Sequence, residues 1–296
     1  MNILSFQDVH RAYKRGHDVL AGVSFTIQPG QVIGLIGKNG AGKTTLIRLA
    51  MGMIAAQRGQ VRVFDLDPRE HPVAVKRRVG YVAEDQILPP YLTIGEIVAL
   101  HRALYPTWDE EAAAALAERF ELPLGAKVRT LSRGQARRVA LLCAVAHRPE
   151  LLLLDEPASG LDPVARREFL ETSIELLNEA GTTILFSSHY LTDVERLADR
   201  IVMLDAGRVL IDQALEELQE GFTLALIEQR PGLTREQLLA LPACVAVRER
   251  AGVLRAVFHL DPRRAEREIS DIAGAAGACR TIALEDMFVE LVGGQP

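Results

Sequence analysis

Cysteine is scarce in this chain, and the cysteines that occur lie far apart. Cys143, Cys244 and Cys279 are the three in 296 residues, and no two of them form a C-x-x-C pair. This spacing offers neither a disulfide framework nor a zinc site, and it suits a protein of a reducing compartment.

Long apolar runs and a targeting segment are also missing from the sequence. No stretch approaches the ~18 consecutive apolar residues of a membrane-spanning helix. Residues 1–8 lack a positively charged segment followed by an apolar run, so we expect no signal peptide. We therefore expect a cytoplasmic protein, which would reach a membrane only through a partner.

An excess of positive charge is absent as well. The chain has 34 lysines and arginines against 39 acidic residues, a net charge of -5, which argues against a general nucleic-acid binder. Apolar residues make up 48% and charged residues 25%, the balance of an ordinary globular protein. The length allows one large domain or two smaller ones.

What the chain does contain is a glycine-rich loop, GKNGAGKT, at residues 37–44. It lies between an apolar segment, 31–36, that predicts a buried strand and a segment, 45–51, with the spacing of a helix, which is the context of a phosphate-binding loop. Lys43 would reach the β- and γ-phosphates of a nucleotide, and the Thr44 hydroxyl would ligate Mg²⁺. The predicted nucleotide-binding residues here are Gly37, Asn39, Gly40, Ala41, Gly42, Lys43, Thr44 and Thr45.

Strands and helices alternate along residues 1–220, which predicts an α/β domain with a largely parallel sheet. Residues 92–130 read as almost entirely helical and are predicted to form a subdomain beside the sheet. The predicted strands are 3–9, 19–27, 61–64, 79–82, 151–154, 184–187 and 201–204, and the predicted helices are 112–120, 134–147 and 163–180.

The pattern changes near residue 220, so residues 221–296 are predicted to form a second domain. The order there is β-α-β-β-α-β, which is that of a small ferredoxin-like α+β unit, followed by a last helix. The predicted strands are 223–228, 245–250, 253–260 and 281–284, with a hairpin turn at 251–252. The predicted helices are 234–241, 262–273 and 285–291, and Asp261 is the predicted N-cap of the second.

Two carboxylates follow a run of four leucines at residues 151–154. The leucines predict a strand buried on both faces, whose carboxyl end delivers side chains to the edge of the sheet where ligands bind. Asp155 would hold Mg²⁺ directly or through water, and Glu156 could take a proton from an attacking water. The alternative is that the pair only caps a helix start.

A third segment, LSRGQ at residues 131–135, leads into a predicted helix. In order and spacing, it and the two preceding motifs resemble the nucleotide-binding subunit of an ATP-binding-cassette (ABC) transporter over roughly residues 3–215. The LS-x-GQ element is close to diagnostic of that family. The resemblance implies a P-loop NTPase cassette with a mostly parallel sheet core, an antiparallel β subdomain and a helical subdomain.

The resemblance also implies a second cassette, either another copy of the chain or a paralogue. In the family two cassettes meet head to tail, and each ATP lies between the phosphate loop of one and the LS-x-GQ element of the other. Ser132, Gly134 and Gln135 would then contact ATP bound to the opposite subunit, and Ser132 is a predicted N-cap. The family most often has glycine where this chain has Arg133.

Two further positions match family motifs. Asp162, in the segment 159–163, matches the D-loop, which is implied to communicate between the two sites; it could also simply cap the next helix, and both can hold. His189 follows a predicted strand and matches the switch histidine, implied to contact the γ-phosphate and to orient the water.

Two other assignments each depend on a single match. Tyr13 matches the aromatic residue that stacks on adenine, and the alternative is a surface tyrosine in a loop. Glu84 stands where the family has a glutamine that ligates Mg²⁺. A carboxylate ligates Mg²⁺ more strongly than an amide but adds negative charge, and Gln86 could substitute only if the loop shifts by two residues.

The function implied is that of an ATP-hydrolysing subunit that drives a separate integral-membrane permease, without nucleic acid as a partner. Residues 92–130 match the region that receives the permease, and the segment 91–96 resembles its groove, although its apolar residues could equally be core. Residues 282–291 resemble the "LEDVF-x-x-L" ending of ABC-2 exporter cassettes, so export is expected.

Alternative functions remain open from the sequence. One is a soluble cassette ATPase acting on DNA or ribosomes, which the acidic balance disfavours. Another is a regulatory subunit that binds ATP without hydrolysing it, for which Glu84 is the only support. A P-loop kinase would not need the LS-x-GQ element.

Overall fold

A computed structural model describes the chain at residues 2–14, 17–85, 87–178, 181–228, 233–250, 252–273 and 278–292. The chain divides into two compact units, Met1–Asp212 and Gln213–Pro296. Gln86, Ala180 and Ala251, which figure in the sequence predictions, lie outside the described residues. Among those described, no helix is long and apolar enough to cross a membrane.

Within the described residues, the first unit contains the following strands and helices. The strands are β1 Leu4–Lys14, β2 His17–Ile27, β3 Val32–Gly37, β4 Arg58–Val63, β5 Val79–Val82, β6 Leu151–Leu154, β7 Thr183–Ser188, β8 Arg200–Asp205 and β9 Arg208–Ala214. The helices are α1 Lys43–Ala50, α2 Pro72–Lys76, α3 Ile94–Leu104, α4 Glu110–Arg119, α5 Arg133–Val145, α6 Pro163–Asn178 and α7 Leu191–Leu197, with a 3₁₀ turn at Val128–Thr130.

The central sheet has the strand order β5-β6-β7-β3-β8-β9, and pairing is parallel from β5 through β8. Every residue of β3, β6 and β7 is buried, as expected for central strands of a parallel sheet that is covered on both faces. Because these strands are parallel, their carboxyl ends meet at one edge, and the loops that leave this edge carry the predicted site residues.

A second, antiparallel sheet of the first unit has the order β2-β1-β4. One hydrophobic cluster joins this sheet to the central sheet through α1, and it includes Phe6, Leu35 and Leu46. Burying each such side chain contributes about 1.5–3 kcal/mol, so this cluster fixes the phosphate-binding loop that connects β3 to α1. The predicted antiparallel β subdomain is confirmed.

The region predicted to be almost entirely helical contains α3, α4 and the 3₁₀ turn, but residues 105–109 and 120–127 are not helical. Helix α3 begins at a capping box in which Thr93 and Glu96 exchange hydrogen bonds. It ends just before Pro106, whose ring disfavours helical backbone at the preceding residue. The prediction overstated the helical content because it gave this proline no weight.

The second unit contains strands β10 Thr223–Glu228, β11 Cys244–Arg250, β12 Val253–Phe258 and β13 Ala278–Thr281. Its helices are α8 Leu215–Gly221, α9 Arg235–Leu239, α10 Pro262–Ala273 and α11 Leu284–Val292. The strand order is β11-β12-β10-β13 with antiparallel pairing throughout, and a separate hydrophobic cluster lies within this unit.

Two predictions about this unit have different outcomes. Asp261 caps α10, since its Oδ1 accepts the backbone N–H groups of Arg263 and Arg264 at 3.1 Å each. The strand predicted at 281–284 is wrong, because the last strand is Ala278–Thr281 and Leu284 already begins α11. Buried Ile282 and Leu284 alternate as in a strand, but Leu284 starts the apolar stripe of the helix.

Candidate functional site

The loop between β3 and α1 requires glycine at particular positions. Gly42, the N-cap of α1, has φ 108°, and a Cβ there would lie 2.5 Å from Cδ2 of Leu20 and 3.0 Å from the carbonyl oxygen of Val19. A Cβ on Gly37 would lie 2.6 Å from the carbonyl oxygen of Leu204. Among the described residues no side chain caps α1, so its first N–H groups are left for an anion.

Lys43 is charged but almost fully buried beside this loop. Its Nζ donates a hydrogen bond to the carbonyl oxygen of Gly37 at 2.7 Å and lies 3.4 Å from Oε1 of Glu156. A buried ammonium group requires such partners, and these two hold it over the loop where phosphate oxygens would be bound.

Asp155 follows β6 and faces the start of α1. Its Oδ1 accepts hydrogen bonds from the hydroxyl groups of Thr44, at 3.1 Å, and Ser187, at 2.9 Å. Burial raises the pKa of Asp155, and these two hydrogen bonds oppose that rise.

The donor set at Asp155 fits Mg²⁺. A carboxylate and a hydroxyl are the hard oxygen ligands that this ion takes, together with phosphate oxygens. No group of three His, Cys, Asp or Glu side chains that could hold a metal occurs among the described residues. One or two protein oxygens next to a phosphate loop are sufficient for Mg²⁺, because a nucleotide supplies further ligands.

The carboxylate of Glu156 contacts different partners from that of Asp155. Its backbone has φ 45°, its Oε2 lies 2.7 Å from Nδ1 of His189, and only 7% of the residue is exposed. The structure therefore brings together the predicted base and the predicted switch histidine, with Lys43 on the other carboxylate oxygen. A base needs such hydrogen-bond reach and orientation.

Ser187 is a residue of this site to which the sequence analysis gave no role. Its hydroxyl donates to Asp155 and accepts the backbone N–H of Glu156 at 2.8 Å. These two hydrogen bonds connect the end of β7 to Asp155 and to Glu156. In the sequence, this role is indicated by the position of Ser187 two residues before His189.

Glu84 follows β5 and lines the same cleft as the phosphate loop. Burial raises the pKa of Glu84, and the nearby carboxylates of Glu156 and Asp155 raise it further. The cleft has a volume of about 260 Å³. It is lined by Tyr13, Val19, Lys38, Gly40, Gly42, Lys43, Thr44, Thr45, Glu84 and Glu156.

Tyr13 lies in strand β1, whereas the alternative interpretation placed it in a surface loop. The residue is 52% exposed, and its hydroxyl is 3.4 Å from Oγ1 of Thr45. An exposed ring at the rim of the phosphate-loop cleft offers a flat surface for a base.

The LS-x-GQ residues and Asp162 do not line this cleft. Ser132 is exposed and caps α5 through a capping box with Gln135, and Gly134 lies in the first turn of that helix. Asp162 caps α6, because its Oδ1 accepts from the backbone N–H groups of Val164 at 3.1 Å and Ala165 at 3.0 Å. The predicted capping roles of Ser132 and Asp162 are confirmed.

Arg137, on α5, is a second residue that the sequence analysis left without a role. Its half-buried guanidinium group donates hydrogen bonds to the carbonyl oxygens of Ala83 and Glu84. The chain that follows β5 is therefore held by the helix that begins at Ser132.

Comparison with known proteins shows the family of this chain. The family model described as ABC transporter matches residues 20–159. Nod factor export ATP-binding protein I of Rhizobium etli is 30% identical over 299 residues, covering 99% of this chain and 94% of the relative. Methionine import ATP-binding protein MetN of Caulobacter vibrioides is 39% identical over 226 residues, covering 73% and 68%.

A solved structure agrees with these matches. It is the dimeric structure of a post-hydrolysis state of the ATP-binding cassette MJ0796 bound to ADP and Pi, which aligns with a TM-score of 0.64 at 25% identity, covering 72% of this chain and 98% of that one. The chain belongs to the ATP-binding subunits of ABC transporters. Within that family it is an ATPase whose hydrolysis is coupled to transport.

Proposed function

We propose that this chain hydrolyses ATP at sites that two subunits share, with Mg²⁺ bound, and that the resulting cycle drives a membrane permease. The observation that carries the proposal is the position of the Glu156 carboxylate between Lys43 and His189, next to a loop built to bind phosphate. Such a carboxylate can accept a proton, and the loop can hold the triphosphate that is attacked.

The main side chains of the site then have the following roles. The loop N–H groups and Lys43 bind the β- and γ-phosphates, and Tyr13 offers its ring to the base. Thr44 and Asp155, with Glu84, would hold Mg²⁺, which when bound supplies positive charge against the developing charge on the phosphate oxygens.

Proton transfer falls to Glu156, and His189 holds the glutamate in place. Glu156 takes a proton from the attacking water at a carboxylate oxygen, and a positioned base of this kind contributes roughly 10²–10⁴-fold of rate. His189 fixes Oε2 of Glu156 through the contact at 2.7 Å. The side chain of His189 is 42% exposed, and we assign it the contact with the γ-phosphate.

The cleft of one subunit lacks the second set of phosphate donors. Ser132, Gly134 and Gln135 lie at the exposed start of the 13-residue helix α5, away from the cleft. The start of such a helix carries partial positive charge and suits an anion. We therefore assign these residues to ATP bound in a second cassette, which is another copy or a paralogue. We also assign Asp162 to the interface between the two cassettes.

Mixing two inactive variants tests this shared site. Lys43→Ala removes the phosphate contact in its own cleft, and Ser132→Ala removes the contact offered to the partner. Each variant alone should lose most ATPase activity. An equimolar mixture should recover about a quarter of the wild-type rate, because half of the dimers are mixed and each mixed dimer has one intact site.

A matched mixture supplies the control. Combining Lys43→Ala with Thr44→Ala, both on the same side of the site, should recover nothing. No recovery in the first mixture would show that each site is made by a single chain. Recovery in the second mixture would show that Lys43 and Thr44 do not act in the same site.

The permease is expected to contact exposed apolar side chains of the helical region. Tyr91, Leu100 and Leu104 are 71%, 50% and 62% exposed, whereas Ile94 and Ile97 are core residues.

Export is supported by the name of the Rhizobium etli relative and by the resemblance of residues 282–291, while the MetN relative is named for import. Identifying the membrane protein that co-purifies tests this assignment. Through it the chain would lie in the cytoplasm at the inner face of the membrane.

The second unit is proposed to be a ferredoxin-like accessory domain. The strand order β11-β12-β10-β13, with antiparallel pairing, supports this assignment because the β-α-β-β-α-β chain path produces that order. We place its start at the division after Asp212 rather than at residue 221. The ATPase domain is then Met1–Asp212, and the last two residues of β9 follow this boundary.

A further inference from the structure

Arg137 connects two parts of the chain that the proposed function places in different ATP sites. It lies in the second turn of α5, the helix that starts at Ser132. One N–H of its guanidinium group donates to the carbonyl oxygen of Ala83 at 2.5 Å, and another donates to that of Glu84.

This contact fixes the backbone after β5, not merely a side chain. The carbonyl oxygen of Val82 accepts the backbone N–H of Asp155 at 2.8 Å, so the sheet holds the chain up to that residue. The next two carbonyl groups, of Ala83 and Glu84, are held by Arg137. A planar guanidinium fork can bind two successive carbonyl groups in one orientation, which the single ammonium group of lysine cannot reproduce.

The charge of Arg137 also acts on Glu84. Burial and the carboxylates of Glu156 and Asp155 raise the pKa of Glu84, and the guanidinium charge lowers it. Burial lowers the pKa of Arg137 itself, while Asp85, Glu84 and Asp155 raise it.

We propose that Arg137 is a positioning residue that couples the two ATP sites of the dimer. It ties Glu84, which lies in the site of its own subunit, to the helix whose start at Ser132 serves the site of the partner. A displacement of Glu84 on nucleotide binding is then transmitted to α5 and so to the second site. This inference rests on the proposed shared site.

Arg137→Gln tests the link, with Arg138→Gln as the matched control. Arg138 is the next residue of α5, but its Nη2 contacts Oε1 of Glu168 at 3.4 Å, on α6. The measurements are kcat, the KM for ATP and the Hill coefficient for ATP. Thermal unfolding of each variant shows that it is folded.

For Arg137→Gln we expect kcat to fall about 10- to 100-fold, since a group displaced by ~1 Å can cost that much. The KM should stay within about twofold, because Lys43 and the phosphate loop are untouched. The Hill coefficient should approach one, because Glu84 is no longer tied to α5. Arg137→Lys should be intermediate, and Arg138→Gln should match the wild type.

A Glu84→Ala background shows whether Arg137 acts through Glu84. Non-additivity is expected there, with Arg137→Gln lowering kcat by less than about twofold, because the group that it positions is gone. An equal loss in both backgrounds, or wild-type cooperativity in Arg137→Gln, overturns the inference and leaves the shared site intact. A wild-type chain that is monomeric with ATP and has a Hill coefficient of one overturns the shared site and the inference together.

Discussion

Replacing Glu156 by glutamine should stop hydrolysis while ATP stays bound. Glutamine has the same size and can still contact His189, but its amide cannot accept a proton from water. Loss of a general base lowers kcat by roughly 10²–10⁴-fold, which corresponds to about 3–5 kcal/mol in the barrier.

The same substitution should strengthen the ATP-bound dimer. Glu156 and Asp155 are adjacent buried carboxylates beside the phosphate loop, and both repel a triphosphate. Glutamine removes one of these charges and releases Lys43 from its contact at 3.4 Å. We therefore expect ATP to bind more tightly and the dimer to persist because it is not hydrolysed.

The assay combines steady-state phosphate release with solution mass measured by light scattering, with and without ATP and Mg²⁺. Glu118→Gln, an exposed change on α4, is the control and should behave as the wild type. Normal turnover in Glu156→Gln would remove this residue from the role of base. A mass that stays at one chain whatever ATP concentration is supplied would refute the shared site.

Two further substitutions test the loop and the core. Gly42→Ala should abolish ATP binding, measured by titration with a fluorescent nucleotide. It should also destabilise the chain by about 1–3 kcal/mol, because its Cβ would meet Leu20 at a position with φ 108°. The control Gly30→Ala, also at positive φ but with open space around it, should destabilise the chain less and leave binding unchanged. Burial lowers the pKa of His147 from 6.5 to about 4. Between these pH values the unfolded chain binds a proton that the native chain does not. The free energy of unfolding should therefore decrease by at most about 3 kcal/mol as the pH falls from 6.5 to 4. His147→Phe, which keeps a ring stacked on Tyr105, should flatten this part of the urea-unfolding profile, and an unchanged slope would contradict the pKa assignment.

The sequence predicted those features that short stretches of chain determine. The glycines of the phosphate loop, the leucines of β6 and the caps at Ser132, Asp162 and Asp261 each depend on neighbouring residues, and the structure contains them as predicted. Their physical chemistry is local, so one sequence suffices to find them.

Contacts between distant residues could not be found in this way. Ser187 acts on Glu156, which lies 31 positions earlier, and Arg137 acts on Glu84, 53 positions earlier. Serine and arginine are common on surfaces, and only the folded chain shows that these two serve the cleft. The short elements α2, α7, α8 and β9 were also missed, because their apolar patterns are too brief to distinguish from loops.

The backbone at Glu156 has a consequence for laboratory evolution of this enzyme. A left-handed φ of 45° costs a glutamate roughly 1–2 kcal/mol relative to glycine, which adopts such angles freely. Glycine or asparagine at position 156 would relieve this strain, but either residue would also leave the buried ammonium group of Lys43 without its carboxylate partner. Libraries sorted for heat resistance alone should therefore retain glutamate at position 156, although its backbone angle is unfavourable.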